Sequence, residues 1–163
     1  MIDFQKTLGI LVSAGVEFII VGGAAATAHG SVRLTLDLDI VYSRQKENIK
    51  RLVEALRPLQ PKLRGAPENL PFLWDEETVA RGLNFTLTTS LGWLDLLGEI
   101  TSGGTYEELL SDSVQITVLG YECLCLGLKR LIEVKRAAAR RKDFEAIAEL
   151  QVILEERESK DEG

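Results

Sequence analysis

The stretch that most constrains this chain runs from residue 17 to residue 42, EFIIVGGAAATAHGSVRLTLDLDIVY. Phe18 to Val21 reads as a buried strand, Gly22 and Gly23 as a turn, Ala24 to Ala28 as a short helix, and Leu36 to Val41 as a second strand. In that second strand Asp37 and Asp39 alternate with Leu36, Leu38 and Ile40. Strand side chains alternate faces, so the two carboxylates share one face with Cα atoms about 6.5–7 Å apart, and the leucines bury the other. A solvated strand face would account for such a pair, but not for the Gly-Gly in front of it. Glycines between a buried strand and a helix let backbone N–H groups approach a phosphate closely. Paired carboxylates suit Mg²⁺, or Mn²⁺ in its place, because such ions take hard oxygen ligands and complete their shell with water and substrate phosphates. The stretch therefore offers a phosphate cradle and a metal seat side by side.

With 163 residues, the chain reads as one domain able to bury a core without disulfides or metal staples, a core over about residues 1–120 and a helical part over about 121–158. A net charge of −6 argues against a broad nucleic-acid-coating surface but leaves room for a local basic patch. Cys123 and Cys125 fit neither a disulfide framework nor a zinc site and read as small buried hydrophobes. No apolar run reaches the length of a membrane span, and the N-terminus MIDFQKTL is not signal-like, so the expected location is a reducing cytoplasm without membrane attachment.

Before the central stretch, Asp3 caps an amphipathic helix (Phe4, Leu8, Leu11, Val12) that Gly15 ends. Within it, the only histidine, His29, has no catalytic partner in sequence and reads as structural, whereas Arg33 is placed either to pair with the aspartates or to bind phosphate. Ser43 is the expected cap of a helix from about Arg44 to Leu56. All four prolines fall between 58 and 71, marking an irregular segment. Asp75 caps a short helix, and LNFTLT and WLDLL form a hairpin. Asp95 lies inside the apolar second strand of that hairpin and must face a site or a partner, because an unpaired buried charge is too costly; Glu99 is a weaker candidate. Val114 to Leu119 reads as a strand, followed by helices over about Leu124–Arg140 and Phe144–Glu156, with Asp143 capping the second and the charged tail frayed. Seven of the nineteen basic residues lie between 129 and 142.

Val21-Gly22-Gly23, thirteen residues, then Asp37-Leu38-Asp39-Ile40 resembles the motif of the nucleotidyltransferase superfamily of DNA polymerase β and the minimal nucleotidyltransferases. His29-Gly30, Arg33 and Thr35, with Lys135, Arg140, Lys142 and Asp143, are similar to the AbiEii-like form of that family. The resemblance implies an α/β (α+β) fold, a small mixed twisted sheet of four or five strands with flanking helices. It implies that Asp37, Asp39 and a third carboxylate, Asp95, hold metal and act in catalysis. Gly22 and Gly23 bind the triphosphate of an NTP, and Lys135, with Arg33, balances phosphate charge. The implied reaction moves an NMP from an NTP to an acceptor hydroxyl on tRNA or other RNA, a protein or a small molecule. The biological settings it suggests are a toxin with a cognate antitoxin protein or a resistance enzyme, the latter calling for an acidic acceptor pocket. From a different class, an inactive nucleotide- or partner-binding module would keep the fold without turnover.

Overall fold

The computed structural model describes residues 2–138 and 143–162. Helix α1 (Phe4–Ser13) is capped by Asp3, whose carboxylate accepts from the Lys6 N–H, and Gly15 turns the chain with φ +73°. Strand β1 (Phe18–Val21) leads through Gly22 into α2 (Gly22–Ala28), and β2 (Asp37–Tyr42) returns antiparallel to β1. Then come α3 (Lys46–Leu56), a 3₁₀ turn at Arg57–Leu59, the short strand β3 (Lys62–Leu63) and α4 (Glu76–Arg81), capped by Asp75. Strands β4 (Asn84–Thr89) and β5 (Gly92–Leu97) form the expected hairpin. A small ribbon, β6 (Glu99–Ile100) and β7 (Gly104–Thr105), precedes α5 (Tyr106–Leu109). The chain closes with β8 (Ser113–Val118), β9 (Tyr121–Leu126), α6 (Leu128–Ala137) and α7 (Phe144–Glu162).

Seven strands make one mixed sheet in the order β3-β4-β5-β2-β1-β9-β8. The fold is the expected mixed α/β type, but the sheet is wider than the four or five strands foreseen. Two features enlarge it. The proline-rich segment contributes β3 at one edge, paired with β4. At the other edge, residues 121–126, expected to be loop and helix, form β9 and pair parallel to β1, so helix α6 starts at Leu128 and the sheet extends past residue 120. Leu124, Leu128 and Leu131 do recur at helical spacing, but without β9 the apolar β1 would be left as an open edge. Leu119 and Gly120, both at positive φ (50° and 91°), make the two-residue turn that folds β9 back on β8.

Two helix ends also depart from expectation. Ser43 is buried and α3 begins two residues beyond Arg44, with Gln45 preceding it and no side-chain cap. The tail read as frayed is helical through Glu162, because Arg157 is anchored to the core, as shown below. The core lies where Leu38, Ile40, Leu94 and Leu96 meet Leu8, Leu11, Leu52 and Leu56, all fully buried. This apolar layer fixes the heights of β2 and β5, and with them whatever their opposite faces carry. Among the described residues no helix is long and apolar enough to cross a membrane.

Candidate active site

Alternation along β2 and β5 sends the leucines to the core and Asp37, Asp39, Trp93 and Asp95 to the other face. The strands run parallel with Asp39 opposite Asp95 and Asp37 opposite Trp93. Each of Asp37, Asp39 and Asp95 therefore offers a carboxylate oxygen within 4.8 Å of the others. Glu99 stands apart, exposed on β6.

The cluster is electrostatically unfavourable by itself. Burial first, then the charges of Asp37 and Asp95, pushes the Asp39 carboxyl up to about 8. Burial raises Asp95 as well, against the pull of Arg64, whose guanidinium donates to Asp95 Oδ1 at 2.9 Å. Asp39 Oδ1 is buried without a hydrogen-bond partner. A buried oxygen left unsatisfied among three hard oxygen donors is the arrangement a divalent cation completes, so the residues fit Mg²⁺ or Mn²⁺.

Gly22 and Gly23, expected as a turn before the helix, are instead the first two residues of α2, and strand pairing binds them to the same cluster. Val21 is opposite Asp39, so the next residue, Gly22, crosses directly over the Asp39 carboxylate. Gly22 has φ +64°, and a Cβ there would collide with Asp39 Oδ2; no other residue suits the position. Gly23 is packed against Thr35, whose hydroxyl donates to the Asp37 carbonyl at 3.1 Å.

Beside the start of α2 lies a cavity of about 210 Å³ whose lining includes Gly23, Arg33, Thr35, Lys135, Asp143 and Glu149. Three expected substrate-binding residues, Gly23, Arg33 and Lys135, thus come to one place from the start of α2, a loop and α6. Arg33 does not pair with the aspartates; its ionic partner is Glu145 of α7, at 3.8 Å, with both side chains exposed. Glu149 of α7 accepts from the Ser31 hydroxyl at 2.6 Å and the Val32 N–H at 3.3 Å, which pins the loop that carries Arg33. Arg140 and Lys142 lie outside the described residues.

His29 has the structural role its sequence context suggests. It is buried, with Nε2 at 2.8 Å from the Leu126 carbonyl, while Arg157 donates to Nδ1 at 3.1 Å and to the His29 carbonyl at 2.9 Å. Leu126 accepting at Nε2 and Arg157 donating at Nδ1 together assign the neutral Nε2–H tautomer. Desolvation lowers the His29 pKa, and the Arg157 charge adds to that.

The site residue that the sequence reading missed is Arg64. It follows β3, donates to the Leu87 carbonyl at 2.7 Å as well as to Asp95, and lies 4.6 Å over the Trp93 ring. The available signal was K-L-R, two cations flanking one apolar residue between prolines, which is an edge strand written in miniature.

The sequence matches no protein-family model and no curated protein. Its fold does match solved structures. The lincosamide antibiotic adenylyltransferase LnuA, solved with lincomycin bound, superposes with a TM-score of 0.61 at 13% identity over 93% of this chain and 97% of that one. A Thermotoga maritima protein provisionally assigned as a nucleotidyltransferase gives 0.56 at 13% identity, covering 91% and 94% of the two chains. ANT(2″)-Ia, solved with adenylyl-2″-tobramycin, gives 0.56 at 15% identity, covering 96% and 95%. The chain has the nucleotidyltransferase fold.

Proposed function

We propose that the protein is a divalent-metal-dependent nucleotidyltransferase that moves an NMP from an NTP to an acceptor hydroxyl and releases pyrophosphate. The observation that carries this reading is the gathering of Asp37, Asp39 and Asp95 oxygens within 4.8 Å of one another, with the Asp39 carboxylate against Gly22 through Oδ2 and its Oδ1 left unsatisfied. Asp37, Asp39 and Asp95 would hold Mg²⁺, or Mn²⁺, which when bound neutralises charge on the phosphoryl group being transferred. Gly22 and Gly23 hold the triphosphate through backbone N–H groups, and Lys135 and Arg33 balance its charge from the adjacent cavity. Asp95, on the strand away from that cavity, orients the acceptor hydroxyl and takes its proton.

An inactive binding module has no chemical need for three carboxylates in mutual contact, whose repulsion costs stability. The test is thermal unfolding with each of the four NTPs, with and without Mg²⁺, on wild type, Asp37→Asn and Asp39→Asn. A ligand at about 100 times its dissociation constant adds roughly 2.7 kcal/mol. The expected result is an NTP shift in wild type that requires Mg²⁺ and is lost in both variants. A shift that persists in Asp39→Asn refutes this site, and NTP binding without pyrophosphate release on any acceptor leaves the inactive module as the reading.

A further inference from the structure

The face that carries the three aspartates continues outward across β5, β4 and β3, and its registry sets the side chains in two rows. One row runs Asp37, Trp93, Thr88, Lys62. The other runs Asp39, Asp95, Thr86, Arg64, the last joined by its N–H to the Thr86 carbonyl at 2.9 Å. Lys62, Thr86 and Thr88 are exposed, and Trp93 is 42% exposed although it lies next to the cluster. Three strand spacings separate Asp37 and Asp39 from the far end of the rows, about 14 Å. Across that width the surface changes from acidic, through an aromatic ring and two hydroxyls, to the exposed cation of Lys62, while the Arg64 side chain reaches back to Asp95.

We propose that this face is the acceptor-binding surface, and that it takes an anionic, ring-bearing acceptor of nucleotide type and excludes polycations. The proposal rests on the transfer reaction above, which places the donor triphosphate on the Gly22 side and leaves the β5–β4–β3 side for the acceptor. A ring stacked on the free part of Trp93 sets the reacting hydroxyl beside Asp95, two residues along β5 on the same face. Arg64 braces Trp93 from its covered side, so the ring is held ready. The acceptor's phosphate then lies toward Lys62, and the two threonines supply neutral hydrogen-bonding groups between. A polycation such as tobramycin, which one structural neighbour carries in adenylylated form, would place its charges against Lys62.

The chain has two tryptophans, and Trp74 is buried with its indole N–H bound to the Val53 carbonyl at 2.9 Å, so a ligand on this face changes the emission of Trp93. The probe is an RNA trinucleotide with a free 3′-hydroxyl, titrated with the donor site saturated by Mg²⁺ and a non-hydrolysable NTP. It should quench Trp93. A labelled form followed by anisotropy should bind Trp93→Leu about tenfold more weakly and Lys62→Gln several-fold more weakly, with a flatter salt dependence for the latter. Both side chains are exposed, so neither change empties the core. Tobramycin should neither quench nor compete. A free nucleoside monophosphate that binds as tightly as the trinucleotide would assign the acceptor to small nucleotides, and a tighter trinucleotide to nucleic-acid ends. Equal trinucleotide affinity in wild type and both variants, or tighter binding of tobramycin, overturns the proposal. Absence of any Mg²⁺-NTP thermal shift in wild type would instead count against the donor reaction, and the two failures are read from different experiments.

Discussion

Asp39 is held where burial and two neighbouring carboxylates all oppose its charge. Its folded pKa stands above the unfolded value of 3.8, so the native state keeps a proton that the unfolded chain releases, and metal-free stability falls as pH rises from about 4 to about 8. Asparagine keeps the shape and removes the titration. Asp39→Asn should therefore be more stable than wild type in metal-free buffer at pH 8, by about 1–3 kcal/mol in urea unfolding. In millimolar Mg²⁺ the order should shrink or reverse, because only wild type gains from the ion. A variant that is less stable in both buffers would show that the crowding has been misjudged. That the aspartates share one face of a strand is legible in the sequence, because acid alternating with leucine sends the two residue types to opposite sides. Arg64 is not legible, since its partner Asp95 is 31 residues away and only the pairing of β3 with β4 brings them together.

Among the elements, the β8–β9 hairpin depends on a residue poorly matched to its backbone. Leu119 has φ 50° and its side chain is 53% exposed, so it bears left-handed strain and gains little from packing. Leu119→Asn should raise stability by about 0.5–1 kcal/mol, seen as a higher urea midpoint with an unchanged slope. The same hairpin shows where periodicity fails as a guide. Tyr121 to Leu126 buries Cys123 and Cys125 on one face, as a strand should, but Leu124 is also in step with the helix that follows. Two local patterns overlap, and the choice between them was made by β1, a hundred residues earlier, which lacked a neighbour on that side. By contrast β2, α4 and the β4–β5 hairpin each have one clear period and a turn or cap to bound them, and these were legible.

At the scale of the whole molecule, α7 ties the chain's end to its beginning. Glu149 holds the loop of Ser31 and Val32, and Arg157 holds His29. Protonating His29 would convert Nδ1 from acceptor to donor and set two cations face to face. Its folded pKa is depressed below 6.5, so this contribution is complete above pH 6.5 and is lost as pH falls from there toward the folded value. Unfolding at pH 7.5 and 5.5 should show an acid loss that His29→Gln diminishes, with the variant less stable than wild type at the higher pH. An identical pH dependence in the variant would remove His29 from the account.

The pairing of β1 also orders events during synthesis. Its antiparallel neighbour β2 ends at Tyr42 and is available almost at once, whereas its parallel neighbour β9 is complete only at Leu126. A chain emerging from the ribosome can therefore join β1, β2, β5 and β4 around the three aspartates while one flank of β1, four apolar residues long, still waits for a partner. For that interval the nascent protein has its acidic cluster assembled and an adhesive edge uncovered, and the arrival of the β8–β9 hairpin is the step that makes it safe from its neighbours.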